Sequence, residues 1–335
     1  MQPRSLPSSL TGRGHRSAAA RGEGARSEEG EDAARRFNCW FGGILGAGLA
    51  LLVALLALLH AAGGLPPPPL TANSCMNEKF RFLRDQPLER VTMLAVGSSV
   101  TARNLDLSVL AERTPKVAAL NAATCYLYIA QTAYYSNLLL EHARSVDTLV
   151  IVVAPRDFES CPPFQTEFVD RRALADYVFE RRSPWLVYAT GLTTRFFGDA
   201  WSLLADPAFR EMLALDPWGS MPLNRKLDHM PPPKTDARCF AALAKLESDA
   251  AARGVRLVVV HFPPNPDWAG AYDRDGQFSR TFRDGVRSSL RHPTTQVIET
   301  DAAAFDADDF ADAIHLLWPA ARPFTRFVAD RLPMH

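Results

Sequence analysis

Val91–Thr101 reads VTMLAVGSSVT, a short apolar run that breaks into Gly97-Ser98-Ser99. A run of this length, closed by glycine and small hydroxyl residues, predicts a buried strand followed by a sharp turn. The pattern recurs along the chain. Lys116–Leu120 (KVAAL), Thr148–Val153 (TLVIVV), Val255–His261 (VRLVVVH) and Thr295–Glu299 (TQVIE) are four more such runs. Helical patterns separate them, around Leu105–Arg113, Tyr126–Arg144, Arg238–Arg253 and Pro319–Arg331. Strands that are apolar on both faces and alternate with helices predict an α/β fold with a five-stranded parallel sheet.

Residues 164–237 break the alternation. They carry Trp185, Tyr188, Trp201 and Trp218, helical stretches and the loop Met230–Thr235 (MPPPKT), and read as a helical insertion between the third and fourth strands. Its tryptophans fit either a satellite core or a surface that stacks on a sugar or an acyl chain.

Toward the N-terminus the composition changes abruptly. Residues 1–36 hold seven Arg and five acidic residues among Ser, Gly and Ala, which predicts a disordered tail. From Phe37 to Asn77 there is no Lys, Arg, Asp or Glu. Phe37–Ala62, 26 residues dominated by Leu, Ala, Gly and Val, exceeds the roughly 20 residues that cross a bilayer. A cleaved signal peptide is the alternative, although its apolar region normally runs only about 7–15 residues. Arg35 and Arg36 abut the segment, so the positive-inside rule places the tail in the cytoplasm and the C-terminal part outside it. The expected organisation is a cytoplasmic tail (1–36), one transmembrane helix (37–62), a linker (63–90) and a domain (91–335). Pro66–Pro69 is expected to act as a stiff spacer within that linker.

Of five cysteines, Cys39 lies in the apolar segment. Cys75, Cys125, Cys161 and Cys239 fall outside it and permit two disulfides in any of three pairings, or a role as small buried apolar residues. With 37 basic and 37 acidic residues the chain is neutral, which argues against nucleic acid as a partner. It has no C-x-x-C pair, phosphate loop or G-x-G-x-x-G fingerprint, so no cofactor or metal is expected.

In open parallel sheets ligands bind beyond the carboxyl ends of the strands. The residues there are Gly97-Ser98-Ser99, Asn121-Ala122-Ala123, Ala154-Pro155-Arg156-Asp157, His261, and the acidic stretch Asp301–Asp312 leading to His315. Of eight histidines, three remain after those in the tail, the apolar segment, polar turns and the terminus are set aside: His229, His261 and His315. Only His315 has a carboxylate three residues before it. In D-x-x-H the Asp312 carboxylate is able to fix one imidazole nitrogen and leave the other as a base. Ser99 reads as the nucleophile, or as a serine that merely caps the following helix.

This layout resembles the SGNH (GDSL-like) hydrolase and acyltransferase superfamily, over about residues 91–163 and 238–335. Its first block corresponds to Gly97-Ser98-Ser99, with Ser98 in place of the usual Asp, and its C-terminal block to Asp312 and His315. The resemblance implies a three-layer flavodoxin-like fold and a Ser99–His315–Asp312 triad. The third block, G-x-N-D, aligns with Ala154-Pro155-Arg156-Asp157 and lacks the oxyanion-binding Asn. The Ser99 N–H, Asn121, Ala123 (at the second-block Gly) and Arg156 are therefore the expected oxyanion donors. A membrane anchor together with G-S-S is similar to cell-envelope members, the DltD-like and alginate-acetylation proteins. That likeness implies transfer or removal of an O-acyl group, acetyl first, on an extracytoplasmic polysaccharide, with a multi-spanning membrane O-acyltransferase as partner. A plain esterase, a lipid-directed hydrolase and a non-catalytic glycan-binding or scaffold subunit are the alternatives.

Overall fold

The computed structural model describes residues 19–114, 117–300 and 302–332, with only the backbone described at 19–29, 186 and 302. Lys116, Asp301 and the first 18 residues of the expected tail lie outside them. The chain forms two compact units, residues 1–61 and 62–335.

The first unit is one helix, α1 (Ala19–Ala61). It starts well before the apolar segment, so residues 19–36 are helical rather than disordered. Their Ala, Glu and Arg content favours helix, and a helix already nucleated by the following Leu-rich stretch propagates into them at little cost. Gly30–Ala61 is long and apolar enough to cross a membrane. Cys39 is free.

The second unit begins with α2 (Ser74–Arg84), which corrects the expected linker at 63–90. Met76, Phe80 and Leu83 fall at helical spacing and are all buried, and Asn73 caps the first turn by accepting from the Met76 N–H at 3.2 Å. Pro66–Pro68 are buried, and the Tyr188 hydroxyl donates to the Pro66 carbonyl at 2.8 Å. The proline run is therefore packed against the insertion and is not a free spacer.

The chain continues through β1 (Met93–Ala95), α3 (Ser99–Asn104), α4 (Ser108–Arg113), β2 (Ala119–Asn121), α5 (Ile129–His142) and β3 (Thr148–Val153). The insertion supplies α6 (Arg171–Val178), α7 (Trp185–Thr190), α8 (Thr194–Ala205) and α9 (Pro207–Leu213). Then follow α10 (Ala237–Ala251), β4 (Arg256–His261), α11 (Pro266–Tyr272), α12 (Gln277–Ser289), β5 (Gln296–Ile298) and α13 (Trp318–Ala329).

All five strands are parallel, in the order β2-β1-β3-β4-β5. Side chains alternate across the sheet. Leu94, Leu149, Ile151, Val153, Leu257 and Val259 pack on one face with residues of α2, α5, α10 and α12. Met93, Ala95, Val150, Val152, Val258 and Val260 pack on the other with α3, α4, α11 and α13. Both faces being covered explains why the strands read as continuous apolar runs. The strand order reverses between β1 and β3, and the crevice beyond that point is where such sheets hold ligands.

Two disulfides, Cys75–Cys125 and Cys161–Cys239, tie α2 to the loop after β2 and the loop after β3 to α10. Disulfides of this kind belong to an oxidising compartment. The insertion does not bury all its tryptophans. Trp185 and Trp201 are 45% and 71% exposed, and α8 turns Phe196 and Ala200 inward and Trp201 outward. Only Trp218 leans on the core.

Candidate active site

Ser99 opens α3 directly beyond β1. The turn depends on Gly97, whose φ of +137° suits glycine and whose Cβ would collide with the Thr101 hydroxyl. That hydroxyl is committed, donating to the Val152 carbonyl and accepting from the Val152 N–H, both at 3.0 Å. It thereby satisfies β3 where β1 has turned away. Ser98 is the N-cap, accepting from the Val100 N–H at 3.0 Å. The capping role considered for Ser99 thus belongs to its neighbour, and the Ser99 hydroxyl faces elsewhere.

It faces His315. Nε2 of His315 lies 3.0 Å from Ser99 Oγ, and Nδ1 lies 2.9 Å from Asp312 Oδ2. The D-x-x-H segment is a tight turn rather than a helix. Asp312 Oδ1 accepts from the N–H groups of Ile314 (2.8 Å) and His315 (2.9 Å), and Ala311 N–H donates back to the His315 carbonyl at 2.8 Å. Burial would raise the Asp312 carboxyl, but the His315 imidazole and the two turn N–H groups outweigh it and hold the carboxyl below the ordinary range. An ionised Asp312 fixes the tautomer in which Nδ1 carries the hydrogen, leaving Nε2 to accept from Ser99.

Two asparagines that sequence reasoning did not single out hold this turn. Asn104, at the end of α3, donates to the Ile314 carbonyl at 2.9 Å and accepts from the Leu316 N–H at 2.7 Å. Asn265 donates to the Asp312 carbonyl at 3.0 Å. The helix that begins at Ser99 and the turn that carries His315 are therefore stapled together across more than 200 residues of chain. An asparagine five residues after a serine carries no periodic signal, so only the fold reveals it.

The expected oxyanion donors fare differently. Asn121 is fully buried; its amide NH₂ points at the carbonyls of Thr101 and Ala102 at 3.4 Å, and its Oδ1 accepts from the Ala123 N–H at 3.1 Å. The two groups thus occupy each other beneath α3 and neither lines the cleft, which corrects both assignments. Arg156 does line it, but its guanidinium is paired with Glu159 and lies over the Tyr128 ring, 5.5 Å from the centroid. The first N–H groups of a helix have no partner in the preceding turn, so the Ser99 N–H at the start of α3 remains as a donor.

The cleft over Ser99 has roughly 380 Å³ of room, with Tyr126, Tyr128, Arg103, Asp157, His229 and His315 among its walls. Tyr126 has φ of +62°, a left-handed conformation that costs a tyrosine of order 1 kcal/mol or more. It follows the disulfide-bonded Cys125 and is 66% exposed at the rim. Asp157 is buried, and burial drives its carboxyl up to about 7 against the Ser98 hydroxyl, the Ala154 N–H and Arg156. His229 comes from the extended end of the insertion, where the His229 carbonyl accepts from Ala313 N–H at 3.2 Å. His261 is not part of this group; burial pushes it down to about 4, and it lines a separate small cavity with Phe282. No cluster of His, Cys, Asp and Glu fit to hold a metal occurs among the described residues.

No protein-family model matches the chain, and no curated protein matches it.

Proposed function

We propose that the chain is a membrane-anchored serine acyltransferase or esterase of the SGNH type, acting on O-acyl groups of an extracytoplasmic polysaccharide. The observation that carries this reading is the unbroken relay from Ser99 Oγ to His315 Nε2 at 3.0 Å and from Nδ1 to Asp312 at 2.9 Å. The five-stranded order with the serine at the switch point supports it.

In the first half-reaction Ser99 Oγ attacks the acyl carbonyl carbon as its proton passes to His315 Nε2, and the carbonyl electron pair moves onto oxygen. The Ser99 N–H faces that developing charge. Collapse re-forms the carbonyl and breaks the bond to the leaving alkoxide, which takes the proton from His315. In the second half a sugar hydroxyl or water gives its proton to His315 and attacks the acyl carbon; the bond to Ser99 Oγ then breaks, and Oγ takes the proton back from His315. Asp312 keeps the imidazolium in place throughout without itself taking the proton.

Location and partners belong to the same proposal: α1 as an uncleaved anchor, the tail cytoplasmic, the domain periplasmic or extracellular, and a multi-spanning O-acyltransferase as acyl source. No cofactor takes part in this scheme. The test uses the full chain in non-ionic detergent with 4-nitrophenyl acetate. Release of 4-nitrophenol that depends on Ser99 and rises with an added sugar acceptor fits a transferase; release to water alone fits an esterase. Activity that survives Ser99→Ala would sink the mechanism. A second reading, a glycan-binding or scaffold subunit without catalysis, is favoured by one specific observation: the Asn121 amide donates to the Thr101 and Ala102 carbonyls and the Ala123 N–H donates to Asn121 Oδ1, so neither donor is left for an oxyanion.

A further inference from the structure

Arg103 lies on α3 one helical turn beyond Ser99, so the two side chains share a face of that helix. It is only 4% exposed, yet it lines the Ser99 cleft. Nη2 donates to the Met212 carbonyl at 2.9 Å, whereas Nη1 has no hydrogen-bond partner. Among the described residues it makes no ion pair. The carboxylate that bears on it, Asp312, is committed to His315, and Arg225 adds a second positive charge nearby. Burying a guanidinium without a counter-charge is costly, and a fold retains such a group most readily when something else completes it. Surface arginines of this chain behave differently: Arg171, Arg182, Arg238 and Arg322 each hold a carboxylate.

We infer that Arg103 is an anion-binding subsite of the Ser99 cleft, and that the substrate carries a carboxylate or comparable anionic group which completes the Arg103 guanidinium. The inference rests on Ser99 being the reacting centre. The exposed Tyr126 ring at the rim offers a flat apolar face alongside it, as a sugar ring would use. The anion has two sources, the acyl group itself or the alcohol it is attached to, and charge-bearing esters separate them.

The experiment compares kcat/KM of the full chain for 4-nitrophenyl acetate (neutral), mono-4-nitrophenyl succinate (charge on the acyl side) and 4-acetoxybenzoate (charge on the alcohol side). One charged ester should exceed the neutral one, and Arg103→Met should lower kcat/KM for that charged ester about 10- to 100-fold more than for the neutral ester. Arg103→Lys should restore part of it, since the charge returns without the planar fork. Equal losses on all three esters would mean an oxyanion or structural role and would overturn the inference, as would no preference in the parent. An activity-independent arm titrates succinate and glucuronate, with glucose as neutral control, into the same proteins by calorimetry. At least one anion should bind the parent, weaken with added salt and fail to bind Arg103→Met. If neither anion binds, or Arg103→Met binds as the parent does, the subsite does not exist. If binding depends on Arg103 while every ester is inert, the subsite stands and the acyl-transfer reading falls.

Discussion

The two walls of the Ser99 cleft are built on opposite plans. On the base side each polar group has a partner: Ser98 caps, Asp312 accepts from two turn N–H groups and the imidazole, and Asn104 and Asn265 lock the turn. On the other side the donors are spent or unmatched. Arg156 is held by Glu159, and one oxygen of Asp157 and Nη1 of Arg103 have no partner. A fully satisfied network is rigid and preorganised, whereas unmatched buried polar groups store their interaction for something that arrives. On the proposed reading, the first wall activates the serine and the second recognises the substrate.

The largest effects should fall on the base wall. Ser99→Ala should remove turnover of an activated ester down to a residual rate, a loss of about 10⁴-fold or more, and Asp312→Asn should approach it by supplying the wrong tautomer. Steady-state kinetics on variants of unchanged circular dichroism would decide this, and near-normal rates in either variant would dissolve the contrast between the walls.

Asp157 sharpens the comparison through pH. Its carboxyl is held up at about 7 by burial, so the native state binds a proton that the unfolded chain has already released. Stability from this group is full below the unfolded value near 4 and is lost as pH rises toward 7. Asp157→Asn removes that dependence. Relative to the parent it should gain on the order of 2–3 kcal/mol between pH 5 and pH 8 in urea unfolding. A constant difference across that range would show that the carboxyl is ionised throughout.

Asn104 should separate stability from chemistry. Asn104→Ala deletes both staples between α3 and the D-x-x-H turn, and should cost about 2–4 kcal/mol of stability and about 10-fold or more in kcat. Asn121→Ala, by contrast, should cost about 1–3 kcal/mol of stability and change kcat of the folded protein less than about threefold. A 10²- to 10³-fold loss of kcat at unchanged KM in Asn121→Ala would return it to the oxyanion hole.

Ser99, Asp312 and His315 were legible in the sequence because each carries a short-range mark, G-S-S at the end of an apolar run and a carboxylate three residues before a histidine, whereas Asn104 and Asn265 reach the turn from distant segments and carried none. The strands were legible for the same reason, each being a local run of Val, Leu and Ile. The fate of the expected oxyanion donors was not, because whether an amide faces a cleft or a neighbouring carbonyl is set by contacts distant in sequence. Asn121 sits at the expected strand end, yet α3 lies over it and claims its amide. Residues 63–90 were misjudged through their proline run, although Met76, Phe80 and Leu83 already carried a helical spacing. Arg103 had a signal too, one helical turn from Ser99, but its significance lies in the missing counter-charge, which only the packed structure exposes.

The most direct test is whether Ser99 is an activated nucleophile. The full chain in detergent would be treated with a fluorophosphonate and its intact mass measured beside Ser99→Ala and His315→Ala. A single adduct on Ser99, absent from Ser99→Ala and strongly slowed in His315→Ala, is the predicted result. No adduct on protein that unfolds cooperatively, or an adduct that persists in Ser99→Ala, would contradict the relay and leave the fold as a binding module.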